Sequence, residues 1–386
     1  MIFEPAKRMD QFPESIFGQL KEAAAKKAAT GANLYDLSIG SPDLPPDKRI
    51  QETIATESLR EDAYGYTLGG ISAFQQAVAD YYNRRSQVEL NTETEILQTM
   101  GSQEGLIHLP LAFCNEEDIV LTTNPAYVAY DVGIKLANAQ SYKMPLKEEN
   151  NYLPDLTAIP ETIAQKAKLL ILNLPGNPVP AMPTSAFFEE VVQFAKKYNI
   201  LVLHDAAYSE YYFDGDRPMS FLATPGAKEV GIEINSLSKS FSLAGARIAY
   251  IAGNETAIRI MKDFKSNLDY GIFEPIQAAA VTALDNAETI TDRLRHTFAE
   301  RHNALSKGLQ ELGWKIAPSN GGMFIWAKYP SKLTDKDFVL KLIQETGVIM
   351  VPGSAFGSEG EGYVRIALVQ ETSVLQQALN ALKSFQ

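Results

Sequence analysis

Five side chains able to do acid–base, covalent or stacking chemistry follow short apolar runs of the sequence. They are an aromatic residue, an amide, a carboxylate, a phenol and an amine, namely Tyr127, Asn177, Asp205, Tyr208 and Lys239. Ligands of a parallel α/β sheet bind at the carboxyl ends of its strands, where such residues would stand. We therefore expect these side chains to converge on one edge of a sheet.

This set of groups matches the needs of a cofactor that combines a pyridine ring, an aldehyde and a phosphate. The ring acts as an electron sink when a carboxylate keeps its nitrogen protonated, and the aldehyde forms a Schiff base with an amine. Asp205 and Lys239 can supply these two groups. A phosphate is held by N–H groups at a helix start, by hydroxyls and by a fixed positive charge. The candidates for this role are Ser102 and Gln103, which open an apolar helix, and Ser236, Ser238 and Arg247, which flank the lysine.

The elements that must position these residues alternate between apolar strands and amphipathic helices from about residue 102 to 252. This alternation is typical of a parallel sheet covered by helices. Residues 184–198 read as a helix capped by Thr184 or Ser185, which forms a right-handed crossover between two strands. The predicted strands lie at residues 118–122, 169–173, 200–204, 231–235 and 248–252.

Beyond about residue 284 the pattern becomes that of a smaller α+β domain. A long charged helix over about 289–312 precedes strands at 323–327, 348–351 and 363–367, and helices begin near Thr334 and Thr372. An N-terminal helix over 14–30, closed by Gly31, is expected to join this domain. The predicted fold class is α/β. Residues 41–284 form a large cofactor-binding domain with a mostly parallel central sheet, and residues 1–40 with 285–386 form the small domain.

Composition restricts the possible partners. The formal net charge of −12 argues against nucleic-acid and membrane surfaces, which require clustered cations. The single cysteine, Cys114, excludes an internal disulfide and suits a reducing cytoplasm. Charged residues interrupt the N-terminus before any signal-peptide core, and no apolar run approaches the length of a membrane span. We predict a cytoplasmic protein with small-molecule substrates.

The sequence around the lysine resembles the class I/II aminotransferases of pyridoxal phosphate (PLP) fold type I, in the aspartate aminotransferase superfamily. The most specific match is the run Ser-Leu-Ser-Lys-Ser-Phe-Ser-Leu-Ala-Gly-Ala-Arg at residues 236–247. Members of this family carry the Schiff-base lysine there, with a phosphate-binding serine three residues before it and an arginine eight after it. The likeness extends over almost the full chain, and it implies an enzyme that moves an amino group between an L-amino acid and a 2-oxo acid.

The resemblance assigns further roles at the cofactor. It implies that Asp205 pairs with the pyridine nitrogen and that Tyr127 stacks on the ring. Tyr208 and Asn177 would hydrogen-bond the ring hydroxyl. The phosphate would be held by Ser102, Gln103, Ser236, Ser238 and Arg247.

The resemblance also implies substrate contacts and a homodimer with active sites at the interface. Arg365 would bind the substrate α-carboxylate, a role suited to a planar guanidinium. Gly40 would contact the substrate from the N-terminal side. One of Tyr64 and Tyr66 would reach the cofactor phosphate of the partner subunit, and the spacing does not choose between them.

Two departures from the family pattern and one alternative function stay open. Val179 and Pro180 stand where the family usually has Thr and Gly or Ala, and Ala246 stands where Trp is frequent. The same residues would also serve a PLP-dependent β-lyase or an enzyme similar to aminocyclopropane-carboxylate synthase. A cofactor-binding regulator built on this fold usually carries an appended DNA-binding module, and the acidic composition of this chain disfavours that alternative. The four histidines lack metal-ligand spacing, so no metal is expected. No glycine-rich dinucleotide-binding motif follows the first strands, which disfavours a nicotinamide-dependent dehydrogenase.

Overall fold

Two main sheets organise the chain in the computed structural model, which describes residues 3–12, 16–213, 215 and 217–385. Its strands, in chain order, are β1 (Tyr35–Asp36), β2 (Ile96–Thr99), β3 (Ile119–Asn124), β4 (Gln140–Pro145), β5 (Ala167–Leu172), β6 (Leu201–Asp205), β7 (Gly231–Ser236), β8 (Ala249–Gly253), β9 (Lys315–Ile316), β10 (Phe324–Lys328), β11 (Val348–Ile349), β12 (Val351–Pro352) and β13 (Tyr363–Ala367). Its α-helices are α1 (Ile16–Ala28), α2 (Lys48–Glu57), α3 (Ser72–Ser86), α4 (Ser102–Phe113), α5 (Ala129–Leu136), α6 (Glu161–Ala164), α7 (Ser185–Tyr198), α8 (Ala227–Val230), α9 (Leu237–Ser240), α10 (Glu255–Lys265), α11 (Glu274–Asp285), α12 (Ala287–Glu311), α13 (Asp335–Thr346) and α14 (Thr372–Leu382).

The seven-stranded sheet has the order β2-β8-β7-β6-β5-β3-β4 and is mostly parallel, which confirms the predicted fold class. Strand β8 differs, because it runs antiparallel to both β7 and β2. The connection from β7 to β8 contains only the single helical turn α9 and a short 3₁₀ turn. A parallel return would need a longer crossover, usually an α-helix of several turns. The chain therefore turns back directly and carries Lys239 on that turn.

The predicted strands of the large sheet are confirmed within one or two residues at each end. Two strands, β2 and β4, were not predicted. Strand β4 reads Gln-Ser-Tyr-Lys-Met-Pro and lies at the sheet edge, where it needs no apolar run. The predicted strand 348–351 is instead two strands, because Met350 separates β11 from β12 and these belong to different sheets.

The central strands are buried on both faces, which explains their continuous apolar runs. In β5, Leu170 and Leu172 belong to one hydrophobic cluster, while Leu169 and Ile171 belong to the cluster on the opposite face. Helix α7 covers the first face, as predicted, and buries Phe188 and Val191. The Thr184 hydroxyl caps α7 by accepting a hydrogen bond from the Phe187 N–H at 3.1 Å.

The smaller part of the chain contains an antiparallel sheet of order β12-β13-β10-β9 and a third apolar cluster. Strand β1 pairs in parallel with β11, so the N-terminal segment packs with the C-terminal one. The domain limits at residues 40/41 and 284/285 stay a prediction. Glu14, where the N-terminal helix was predicted to begin, lies outside the described residues. Within the described ranges, no helix combines the length and apolarity that crossing a bilayer requires.

Candidate active site

A cavity of about 450 Å³ lies at the carboxyl ends of the parallel strands and extends to the smaller part of the chain. It brings together the five side chains predicted to converge, because Asp205 ends β6, Lys239 follows β7 and Asn177 lies on the loop after β5. The lining residues are Phe17, Ser38, Ile39, Gly40, Ser41, Ser102, Tyr127, Val128, Asn173, Asn177, Asp205, Ala207, Tyr208, Lys239, Phe356 and Arg365.

Lys239 is held in the cavity by its backbone and by its amine. The short helix α9 is capped by the Ser236 hydroxyl, which accepts from the Ser238 N–H, and the Tyr211 hydroxyl donates to the Lys239 carbonyl at 3.0 Å. The Nζ atom donates to the Gly40 carbonyl. Burial, helped by the charge of Arg365, lowers the pKa of Lys239 to about 8. An amine with this pKa gives up its proton far more readily than a surface lysine.

Asp205 is a buried carboxylate with two internal donors. Its Oδ2 atom accepts from the Tyr130 hydroxyl at 2.8 Å, and its Oδ1 atom accepts from the Ala207 N–H at 3.2 Å. The Asn173 side-chain amide donates to the Asp205 carbonyl at 2.7 Å, which fixes the backbone. Burial raises the pKa of Asp205, and the Tyr130 hydrogen bond opposes that rise. These hydrogen bonds therefore fix the orientation of the Asp205 carboxylate.

Arg365 forms the cationic end of the cavity, on strand β13. Its guanidinium lies between two aromatic rings, 4.4 Å from the ring centre of Phe324 and 4.9 Å from that of Phe356. It donates to the Asn177 side-chain oxygen at 2.9 Å and to the Ser38 carbonyl at 2.5 Å. Burial lowers the pKa of Arg365 to about 10. Among the described residues, no carboxylate forms an ion pair with this guanidinium.

Three of the predicted phosphate-binding residues, Ser102, Gln103 and Arg247, lie at the start of α4, and only Ser102 of the five lines the cavity. Ser102 lines the cavity as the first residue of α4. The preceding Gly101 has φ +83°, and a Cβ atom there would lie 2.1 Å from Nη2 of Arg247. Arg247 is thus packed against the helix start. The Tyr127 hydroxyl points to the Gln103 side-chain oxygen at 3.5 Å. Ser236 and Ser238 are buried on the turn that carries Lys239.

Tyr64 and Tyr66 do not line the cavity of their own chain. Both are exposed, at 67% and 84%. Tyr64 packs against Phe273 with ring centres 5.3 Å apart, and Tyr66 packs against Tyr270 at 5.2 Å. These four rings form an exposed aromatic patch.

The two departures from the family pattern lie beside the site. Val179 is buried, and its carbonyl accepts from the Gly176 N–H at 3.1 Å, so the loop closes on itself and still presents Asn177. Pro180 packs against Gly322 of the smaller part. Ala246 is half-buried on the turn before Arg247.

Several residues of the site were missed by reasoning from the sequence. Tyr130 has the pattern of a core aromatic on the apolar helix α5, so no signal in the sequence indicated its contact with Asp205. Phe17, Ile39 and Phe356 are distant in sequence and carry no chemical signal. Behind the site, Arg85 and Glu210 form a buried ion pair at 2.7 Å, and Arg85 also donates to the Ser209 carbonyl at 2.9 Å. This pair anchors the loop that follows Asp205.

Comparisons with known proteins agree with this geometry. Residues 32–382 match the family described as aminotransferase class I and II. The chain is 40% identical over 385 residues to an LL-diaminopimelate aminotransferase of Aquifex aeolicus, covering 99% of both chains, and 38% identical to that of Moorella thermoacetica, covering 98% of both.

Solved structures give the same result. The substrate-bound BacF structure from Bacillus subtilis superimposes with a TM-score of 0.95 at 35% identity and covers 99% of this chain and 98% of that one. A probable N-succinyldiaminopimelate aminotransferase from Thermus thermophilus gives 0.91 at 34% identity, with 96% and 100% covered. The chain belongs to the class I and II aminotransferases, and it is accordingly a pyridoxal phosphate enzyme.

Proposed function

We propose that this aminotransferase uses Lys239 as the covalent anchor of its cofactor and as the base that acts on the substrate. When bound, pyridoxal phosphate supplies an aldehyde that takes up the amino group and a protonated ring that withdraws electrons from the reacting carbon. The chain's own residues bind, orient and protonate. The net reaction moves an amino group from an L-amino acid to a 2-oxo acid.

The donor set of the cavity fits this cofactor. Asp205, already aimed by Tyr130 and Ala207, would hold the proton on the ring nitrogen. Tyr208 and Asn177 would hydrogen-bond the ring hydroxyl, and Tyr127 would stack on the ring. The N-terminus of α4 at Ser102 and Gln103, with Ser236, Ser238 and Arg247, would hold the phosphate, because helix starts and guanidinium groups both favour anions.

The observation that carries the proposal is the buried guanidinium of Arg365. A buried cation without a carboxylate partner is costly unless a ligand supplies the anion. The α-carboxylate of an amino acid matches its planar fork, and Asn177 and the two flanking rings fix its direction. Gly40 lies beside this position, and its carbonyl accepts a hydrogen bond from the Lys239 amine.

Lys239 then performs the proton transfer. Its lowered pKa makes the amine an effective base near neutral pH, because a catalytic base works best when its pKa is close to the working pH. It would remove the proton from the substrate Cα while Arg365 holds the carboxylate.

The substitution Arg365→Lys tests this arrangement. We expect kcat/KM for an L-amino acid to fall by about 100-fold, mainly through KM, because a point charge replaces the bidentate fork. The kcat/KM for amines that have no carboxylate should not fall, and the cofactor absorbance should stay unchanged. Arg259→Lys, on the exposed face of α10, is the matched control. Equal losses for amino acids and simple amines would refute the role of Arg365.

The relatives' names make LL-diaminopimelate one candidate amino donor for this chain. It belongs in any substrate panel. Formation of ammonia and pyruvate from a cysteine conjugate, without an added oxo acid, would instead support the β-lyase alternative.

We also propose a homodimer. Tyr64, Tyr66, Tyr270 and Phe273 form the exposed aromatic patch, and Leu268, two residues before Tyr270 in the sequence, is 53% exposed. Contiguous exposed apolar surface of this kind typically marks an interface. Tyr66 is the better candidate for the partner's phosphate, because the Tyr64 hydroxyl already donates to the Ser58 carbonyl at 2.8 Å. The predicted domain limits and the cytoplasmic location belong to the same proposal.

A further inference from the structure

The charged groups of the cavity can be assigned one by one. Among the described residues that line it, the ionisable acids and bases other than phenols are Asp205, Lys239 and Arg365. In the proposed function, Asp205 and Lys239 serve the cofactor, and Arg365 serves the α-carboxylate. No charged side chain of this lining is left for a second charged group on the substrate.

The outer wall of the cavity is apolar. Phe17 on α1, Ile39 before Gly40 and Val128 before α5 are 37%, 48% and 43% exposed, so their side chains are open to a ligand. Phe356 completes the wall and also covers Arg365. The remaining side chains here, Ser38 and Ser41, are neutral.

Two cations that flank the aromatic patch in the sequence, Lys265 and Arg60, are already paired with carboxylates. Lys265 is buried and paired with Glu104 at 2.9 Å and with Asp269 at 2.6 Å. Arg60 is bound to Glu57 and Asp62.

We propose, on the basis of the proposed function, that the preferred amino acid substrate carries an uncharged, apolar or aromatic side chain. Such a side chain gains free energy by covering Phe17, Ile39 and Val128, whereas a charged one loses water without gaining a partner. This side-chain class differs from LL-diaminopimelate, the substrate in the relatives' names, which carries a second amine and a second carboxylate.

The test measures single half-reactions of the holoenzyme, with each amino acid added alone and the cofactor absorbance recorded. We expect kcat/KM for phenylalanine and leucine to exceed that for aspartate, glutamate and LL-diaminopimelate by about tenfold or more. Calorimetry with unreactive acids gives an independent readout. 3-Phenylpropionate should bind at least about tenfold more tightly than glutarate.

Two variants place the preference on the wall. Phe17→Ala should lower kcat/KM for phenylalanine about tenfold more than it lowers that for alanine. Phe3→Ala, which removes an 87% exposed ring outside the cavity lining, is its control. Val128→Arg should raise the glutamate-to-phenylalanine ratio of kcat/KM by about tenfold, because it adds the missing cation. Leu333→Arg is the control for an exposed apolar residue elsewhere.

The outcomes separate the two claims. Preference for glutamate or LL-diaminopimelate in the wild-type enzyme, with tighter binding of glutarate, would overturn the inference and leave the proposed function standing. If no amino acid changes the cofactor absorbance, the proposed function itself fails. A ratio that Val128→Arg and Leu333→Arg change equally would also contradict the assigned wall.

Discussion

Tyr130 donates the side-chain hydrogen bond that helps to orient the Asp205 carboxylate in the cavity. It lies on α5, is 1% exposed, and donates its phenol proton to a carboxylate that is itself 4% exposed. Removing that donor leaves a buried carboxylate oxygen without its partner, which typically costs about 1–3 kcal/mol. The effect on Asp205 is also electrostatic, because the hydrogen bond favours its ionised form.

We therefore predict that Tyr130→Phe lowers kcat/KM by about 10–100-fold. Burial already raises the pKa of Asp205, and loss of the phenol raises it further. Protonation of Asp205 then extends to higher pH, so the acid limb of the pH–rate profile should shift upward. Tyr329→Phe is the control, because it removes a similar hydrogen bond, to the Leu333 carbonyl, at a distance from the site. An unshifted acid limb in Tyr130→Phe would show that the phenol is merely structural.

At the scale of elements, the start of α4 depends on a glycine. Gly101 has φ +83°, a conformation that side chains rarely adopt, and its hydrogen atoms face the guanidinium of Arg247. In the proposed function, the helix N-terminus and Arg247 would contact one phosphate together, and a Cβ atom at Gly101 would force them apart.

The substitution Gly101→Ala should weaken cofactor binding by about tenfold or more, because Arg247 must move away from the helix start. Cofactor affinity is measured by titrating the apoprotein with pyridoxal phosphate. Gly31→Ala is a matched control, since Gly31 has φ +77° and nothing within 4 Å of the added Cβ atom. It should cost some stability and leave cofactor affinity intact. Equal affinities in the two variants would argue against a phosphate at this position.

Sequence reasoning worked best where local pattern decides structure. The apolar strands β5, β6 and β7 are buried on both faces, so their continuous apolar runs and the polar residues that follow them could be recognised in the sequence. Asp205, Asn177 and Lys239 were found at those positions. It missed β4, whose edge position tolerates polar residues, and it made no prediction of the direction of β8. The strand direction depends on how the Lys239 turn closes, which is a property of three-dimensional packing.

The cavity wall was beyond local pattern as well. Phe17, Ile39, Val128 and Phe356 come from four separate segments, and only the fold brings them together. The partners of Arg365 illustrate the same limit, because the Ser38 carbonyl is a backbone atom that lies far away in the sequence.

At the scale of the whole molecule, the aromatic patch predicts association. Tyr270→Glu places a charge where two patches would meet and should weaken the dimer by about 100-fold, as measured by sedimentation velocity over a dilution series. Leu333→Glu, outside the patch, should not. A monomeric wild-type protein at all concentrations would contradict the dimer.

The proposed dimer also distinguishes Tyr64 from Tyr66. Within the described residues the Tyr66 hydroxyl has no hydrogen-bond partner, so it can donate to a phosphate of the partner subunit. Tyr66→Phe should weaken cofactor binding by about tenfold, and Tyr64→Phe should change it little. The reverse ranking would assign the role to Tyr64.

Chemical trapping measures most directly whether Lys239 carries the cofactor, as we propose. The holoenzyme is reduced with borohydride, digested and examined by mass spectrometry for the lysine that bears the cofactor. We predict the added mass on Lys239 and none on Lys265, a buried lysine whose amine is paired with Glu104 and Asp269. Reduced cofactor on any other lysine, or on none, would contradict it.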